Sequence, residues 1–114
     1  MKRRSVTFER WDVLAVPFPF TERQGAKRRP ALVLSNSSFN GAGHLVLAMI
    51  TTSTRVPWPG DTELRDHSAA GLPRPCVVRL KLFTLDARLI IRKVGALSTA
   101  DRRSVEQNLR RFLT

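Results

Sequence analysis

Helical periodicity occurs once in this sequence, close to its end. Val105, Leu109, Phe112 and Leu113 fall at i, i+4, i+7 and i+8, a single apolar stripe. Ser98 stands where an N-cap belongs, and Asp101 three residues later complements the positive end of the helix. Arg110 and Arg111 complement the other end. Everything upstream must fold differently, because its apolar residues come in short runs punctuated by Pro, Gly, Asn and Ser. That punctuation marks β-structure. A chain of 114 residues, 42% of them hydrophobic and 25% charged, can bury one core of this kind. We therefore read residues 1–114 as a single domain.

The runs predict the strands. Asp12–Phe20 opens as a strand whose end, holding Pro17 and Pro19, must be an edge, a bulge or a turn, because proline donates no ladder hydrogen bond. Thr21–Arg29 is a polar, basic hairpin-type loop around Gly25. Pro30–Ser35 and His44–Thr51 read as strands buried on both faces, joined by a turn over Asn36–Gly43. Thr52–Pro75 holds four of the seven prolines and reads as a long, partly ordered loop with one short strand around Thr62–Leu64. Cys76–Leu80 and Arg88–Val94 are two further strands, with Phe83–Leu85 a short strand or a turn between them. Five or so strands, a loop-rich middle and one covering helix amount to a small, mainly β, partly open barrel.

Charge narrows the function. Twenty Lys and Arg face nine Asp and Glu, a formal net charge of +11. So much charge of one sign repels itself and invites a polyanion, nucleic acid first and an anionic membrane surface second. The longest wholly apolar run, Leu45–Ile50, is far short of the roughly 20 residues that cross a bilayer. The basic N-terminus leads into no apolar segment and does not read as a signal peptide. A lone cysteine, Cys76, permits neither an intramolecular disulfide nor a Cys-based zinc cage. The expected compartment is the cytoplasm.

The motifs are more specific. Arg10–Thr21 (RWDVLAVPFPFT), Arg28–Ser35 (RRPALVLS), Ala48–Ser53 (AMITTS), Pro75–Leu80 (PCVVRL) and Ile90–Ser98 (IIRKVGALS) follow one another across nearly the whole chain. In that order and at those spacings they resemble the MazF/PemK family of toxin endoribonucleases. The resemblance implies an SH3-like barrel with a C-terminal helix, a homodimer, and cleavage of single-stranded RNA in the bacterial cytoplasm without a metal or cofactor. It also implies a cognate antitoxin whose acidic, disordered tail fills the RNA groove. Arg29, the Arg of Arg-Pro, and Thr51, the Thr after Ile50, match the family's catalytic pair. Two positions depart from its pattern. Trp11 stands where the family often has Gly, which bears on the loop opposite, and Cys76 stands where Ser is common.

The residue types suit the reaction. In metal-free cleavage the ribose 2′-hydroxyl attacks the adjacent phosphorus, so a charged phosphorane must be neutralised and a proton removed. Arg29 offers planar, permanently charged donors to two phosphoryl oxygens, and Pro30 stiffens its strand start. Thr51 offers a hydroxyl to the phosphate or the 2′-hydroxyl. An obvious general base is missing, and Glu22 is the nearest carboxylate in sequence. Thr21, Lys27, Arg28, Thr52, Ser53 and Arg55 are assigned to the groove walls, where cations on phosphates position the strand without reading its bases. Taken alone, Arg29 is an ordinary surface cation and Thr51 an ordinary strand-end residue. The ordered motifs reverse that judgement.

Other residues read more plainly. Histidine is a common acid or base in catalysis, but His44 and His67 fall on no family motif. Trp58, between Pro57 and Pro59, either stacks a base or closes the barrel end or a dimer contact. Cys76 is a small buried hydrophobe, and the arginines of the terminal helix form a solvated face. Two other functions fit the same barrel. One is a non-catalytic toxin of the CcdB type acting on gyrase by protein contact, whose C-terminal signature this chain lacks. The other is a plain nucleic-acid-binding barrel. Any reading with RNA in a basic groove makes affinity fall with salt, by about 0.7 log unit per log unit of salt for each phosphate contact. Titrating a labelled single-stranded RNA at several salt concentrations measures that slope, and a flat response would remove RNA as the partner.

Overall fold

The computed structural model describes residues 7–17, 28–52 and 56–114. Strands β1 (Asp12–Pro17), β2 (Arg28–Val33) and β3 (His44–Thr52) come first, with a short helix α1 (Ser37–Asn40) before β3. Then follow β4 (Thr62–Glu63), β5 (Cys76–Asp86), a 3-10 turn (Ala87–Leu89), β6 (Arg92–Ala96) and helix α2 (Thr99–Leu113). The six strands pair in the order β4-β5-β3-β2-β1-β6, each pairing antiparallel. Among the described residues β4 and β6 are the edges of the sheet, so this is the partly open, mainly β barrel that the sequence predicts.

Alternation along the strands divides the core between the two faces of the sheet. In β2, Leu32 joins a cluster with Val13, Ile50, Val78, Leu97 and Val105, the face that α2 covers. Its neighbours Ala31 and Val33 join Leu14, Val16, Leu45 and Leu47 on the other face. Ala31, Leu32 and Val33 all have no exposed surface, as a strand buried on both sides requires. The second cluster is closed by Phe83, Leu85 and Ile90, which belong to the far half of β5 and the segment after it. β5 reaches them by bending. It advances three residues, from Arg79 to Leu82, while β3 advances one, and such a bulge turns a strand.

Two expectations are corrected here. Phe83–Leu85 is neither a separate strand nor a turn but the continuation of β5. Arg88–Ile91 is not strand, because the Asp86 carboxylate accepts the Arg88 backbone N–H at 2.8 Å and caps a 3-10 turn, delaying β6 to Arg92. The Arg88 guanidinium and backbone N–H hold the Asp86 carboxyl well below the usual carboxylate range. The turn over Asn36–Gly43 contains α1, which the Asn36 side chain caps by accepting the Phe39 N–H at 3.0 Å.

Trp11 gives the departure noted above a structural meaning. It sits at φ +79°, in a turn closed by the Asp12 N–H donating to the Glu9 carbonyl at 3.0 Å. Left-handed backbone costs a side-chain-bearing residue about 1–2 kcal/mol, which is why glycine suits this place. Trp11 offsets that cost by packing on the α2-side core. Its N–H also donates to Val33 O at 2.8 Å, and its carbonyl accepts from the Leu97 N–H at 3.0 Å.

The start of the connection between β4 and β5 is held by a buried carboxylate. Asp101 has no exposed surface and accepts the backbone N–H groups of Arg65 at 2.9 Å and Asp66 at 3.0 Å. Ser98 caps α2 as predicted, accepting the Asp101 N–H. Beyond Asp66 the chain lies directly on β6. Gly71 is at φ +77°, and a Cβ there would fall 1.9 Å from the Val94 carbonyl oxygen. Among the described residues, no helix is long and apolar enough to cross a membrane.

The glycines predict a contrast. Gly43, at φ +112° with nothing near an added Cβ, should tolerate alanine at about 1 kcal/mol. Gly71→Ala adds a backbone overlap to the same dihedral strain and should cost about 3 kcal/mol or more. Urea denaturation of the two variants measures the difference, and equal losses would show that the 66–73 segment does not lie on β6 in solution.

Candidate functional site

Pairing of the strands assembles a row of side chains across the sheet. Val16 of β1 pairs with Arg29 of β2, and Thr51 of β3 pairs with Val77 of β5. The β2–β3 register runs Val33 with Leu47, Leu32 with Ala48 and Ala31 with Met49. The ladder between β2 and β3 ends at Ala31–Met49, and its register continued two steps would bring Arg29 level with Thr51. Both share the alternation of Ala31, Val33, Leu45 and Leu47, which sets them on the sheet face away from α2.

Their surroundings differ from the rest of the sheet. Arg29 is exposed, and among the described residues no carboxylate forms an ion pair with it. Pro30 follows it, half-buried and opposite Ala15. Thr51 is half-buried, and Thr52 is exposed and opposite Cys76. Arg28 is exposed and opposite Pro17. Thr21, Glu22, Lys27, Ser53 and Arg55 lie outside the described residues, as does the Phe18–Phe20 end of the first predicted strand.

One step along the sheet a second group is built around Arg79, which pairs with Met49. Asp61 accepts from Arg79 Nε at 3.1 Å and Nη2 at 2.9 Å, and Val56 O accepts from Nη2 at 3.0 Å. The hydrogen-bonded carboxylate raises the guanidinium pKa, against a burial that opposes it. The Trp58 N–H donates to the same Asp61 carboxylate at 3.2 Å. Arg79 lies 5.4 Å and Lys81 5.9 Å from the centre of the Trp58 ring. Trp58 is thus an exposed ring within cation–π distance of two cations. The sequence reading missed Arg79, Asp61 and Lys81. Their only signal was the cationic alternation at 79 and 81, since nothing links Asp61 to Arg79 along the chain.

The remaining titratable candidates have structural partners. His67 Nδ1 lies 2.8 Å from the Leu72 carbonyl, which can only accept, so the ring donates there and ties a turn. His44 is exposed at the start of β3, opposite Asp86. Cys76 is buried, burial pushes its thiol pKa up, and the thiol donates to Arg74 O at 3.3 Å. That is the packed hydrophobe expected from sequence, not an activated nucleophile. Among the described residues no group of His, Cys, Asp and Glu could hold a metal ion.

Residues 9–113 match the model of a family described as PemK-like, MazF-like toxin of type II toxin–antitoxin system. Among solved structures, MazF from Deinococcus radiodurans superposes with a TM-score of 0.72 at 24% identity, covering 96% of this chain and 98% of that one. A MazE–MazF structure from the same organism gives 0.74 at 23% identity, with coverage of 95% and 97%. An endoribonuclease in complex with its cognate antitoxin, from a mycobacterial species, gives 0.71 at 20% identity, with coverage of 92% and 93%. No curated protein sequence matches the chain significantly. These likenesses establish the barrel.

The Asp61 cluster has a measurable energy. Arg79 is 12% exposed in its side chain, so Asp61→Ala leaves a largely buried cation without its carboxylate and should cost about 2 kcal/mol. Urea denaturation reads the loss, and a shift in Trp58 fluorescence, assigned by difference from Trp58→Phe, reads the released ring. An unchanged midpoint and spectrum would show that the pair does not hold Trp58.

Proposed function

Because the chain belongs to the PemK-like, MazF-like family of toxins of type II toxin–antitoxin systems, we propose that it acts as an endoribonuclease on single-stranded RNA, stopping translation and growth. The observation that supports this reading is the β2–β3 register, which continued beyond Ala31–Met49 would bring Arg29 level with Thr51 on one face of the sheet. Arg29 matches the Arg-Pro motif and Thr51 the Ile-Thr motif.

The reaction is a transesterification. The 2′-oxygen forms a bond to phosphorus, the bond from phosphorus to the 5′-oxygen breaks, and a cyclic phosphate and a free 5′-hydroxyl result. Negative charge builds on the non-bridging oxygens in the transition state. The Arg29 guanidinium meets that charge with two parallel donors, and its value grows as the charge develops. The Thr51 hydroxyl orients the phosphate or the attacking 2′-oxygen. A base takes the 2′-proton, and a proton must reach the 5′-oxygen as it leaves. Glu22 is our candidate for the base. Water is not the nucleophile, so a metal-bound hydroxide has no step to serve.

The same reading assigns Thr21, Lys27, Arg28, Thr52, Ser53 and Arg55 to the RNA groove. It takes residues 1–114 as one functional domain working as a homodimer in the bacterial cytoplasm. The antitoxin complexes among the similar structures support a partner of that kind here. A short acidic tail would suit a chain of net charge +11 by simple complementarity.

Purified protein should cut a single-stranded RNA in the presence of EDTA. Arg29→Ala should lower the single-turnover rate by about 10²-fold or more with an unchanged circular dichroism spectrum, and Thr51→Ala by about tenfold or more. Full activity in Arg29→Ala would overturn the assignment. Binding without cleavage would favour the plain nucleic-acid-binding barrel, and growth arrest only through gyrase would favour the CcdB-type toxin.

A further inference from the structure

Resting on that reading, we propose that a notch framed by Arg28, Arg29 and Arg92 is a subsite for the nucleotide next to the scissile linkage, with Arg92 its outer phosphate ligand. The notch has a volume of about 230 Å³ and lies at the end of the sheet where Arg29 borders it. Ala15 pairs with Pro30 on one side and Arg92 on the other, so these three form a row across β2, β1 and β6. Strand alternation sets that row on the face opposite the Arg29–Thr51 row. Arg29, at the sheet's end, therefore stands between the two.

One wall is held by close backbone packing on β6. Gly71, Leu72 and Pro73 form one side, and the lack of a Cβ at Gly71 lets that segment lie on the β6 backbone. From the β6 side, a Cβ on Gly95 would fall 2.4 Å from the Ala70 carbonyl carbon. The Ala96 N–H donates to Ala69 O at 3.2 Å, completing the contact. Ala15, Pro30, Leu72, Pro73 and Val94 give the notch an apolar lining.

Its rim is cationic. Among the described residues no carboxylate lines the notch and none of the three arginines takes part in an ion pair. The neighbouring cation Lys93, by contrast, is held by Asp12 at 3.1 Å. Guanidinium forks match phosphoryl oxygens, and an apolar lining matches the face of a base. The notch could hold on the order of ten waters, and so one nucleoside. The border with Arg29 selects RNA over other anions, since a strand with its scissile phosphate on Arg29 has its next nucleotide within reach.

The test separates this site from bulk charge and from catalysis. The probe is a fluorescent, random-sequence, 2′-O-methyl RNA decamer, which cannot be cleaved, bound to the full-length protein and read by anisotropy. Arg92→Ala should weaken binding about tenfold and lower the salt slope by about 0.7. Arg103→Ala, an equal charge change on an exposed position of α2, should weaken it by less than about threefold. Ala15→Ile fills the notch without changing charge and should weaken binding about fivefold with the salt slope intact. Thermal melts report whether each variant folds. If Ala15→Ile does not fold, the comparison of Arg92→Ala with Arg103→Ala decides. Equal losses in those two, or wild-type affinity in a folded Ala15→Ile, would overturn the subsite. So would a notch that binds an acidic peptide but no RNA. If the wild type binds the decamer as stated but cuts no unmodified RNA, the notch stands as an RNA-binding site only and the endoribonuclease reading falls.

Discussion

The register of β2 against β3 is the constraint on which the rest of this structure depends. Ala31, Leu32 and Val33 are buried on alternating faces, so a slip of one residue would exchange the two halves of the core. That exchange would set Leu32 among side chains packed for Ala31 and Val33, a change of volume that close-packed interiors do not accept. Continued to the ends of both strands, the same register would bring Arg29 level with Thr51, so the core sets where the two candidate residues stand along their strands.

A second constraint works from the other end of the chain. Asp101 could have been only a helix-terminal charge, and its burial makes it a fastener. By accepting two backbone N–H groups it fixes Arg65 and Asp66. The chain then passes through His67, bonded to Leu72 O, and onto β6 at Gly71. Buried backbone donors need acceptors, and a carboxylate is the strongest available. The consequence reaches the far edge of the sheet, because that fastened segment forms a wall of the notch beside Arg29.

Much of the barrel was legible because its signals are local. The α2 stripe, the Ser98 cap and the twice-buried strand at Ala31–Val33 each follow from a few adjacent residues. What escaped depends on residues far apart in sequence or on backbone detail. The continuation of β5 past Lys81 is set by a bulge against β3, and no composition marks a bulge. The late start of β6 follows from one capping carboxylate, Asp86, inside an apolar stretch that otherwise reads as strand. Order at Arg65 and Asp66 comes from Asp101, at least 35 residues away from its partners, and order around Asp61 comes from Arg79. The candidate pair was legible by family motif, but the shared sheet face of its two members was not, since that required the strand alternation of β2 and β3.

Trp11 shows how a departure from pattern becomes informative only with a dihedral beside it. A tryptophan where glycine is common could mean a different turn or the same turn under strain. The φ of +79° shows a left-handed turn position occupied by a large side chain. Packing against Leu32 and its neighbours, with backbone hydrogen bonds to Val33 and Leu97, makes the strain tolerable. Trp11 thereby clamps β2 to the entry of α2 across the start of β1. The register that aims Arg29 is held at this end by a residue whose own backbone is strained, so the substitution of glycine by tryptophan exchanges local ease for a tertiary clamp.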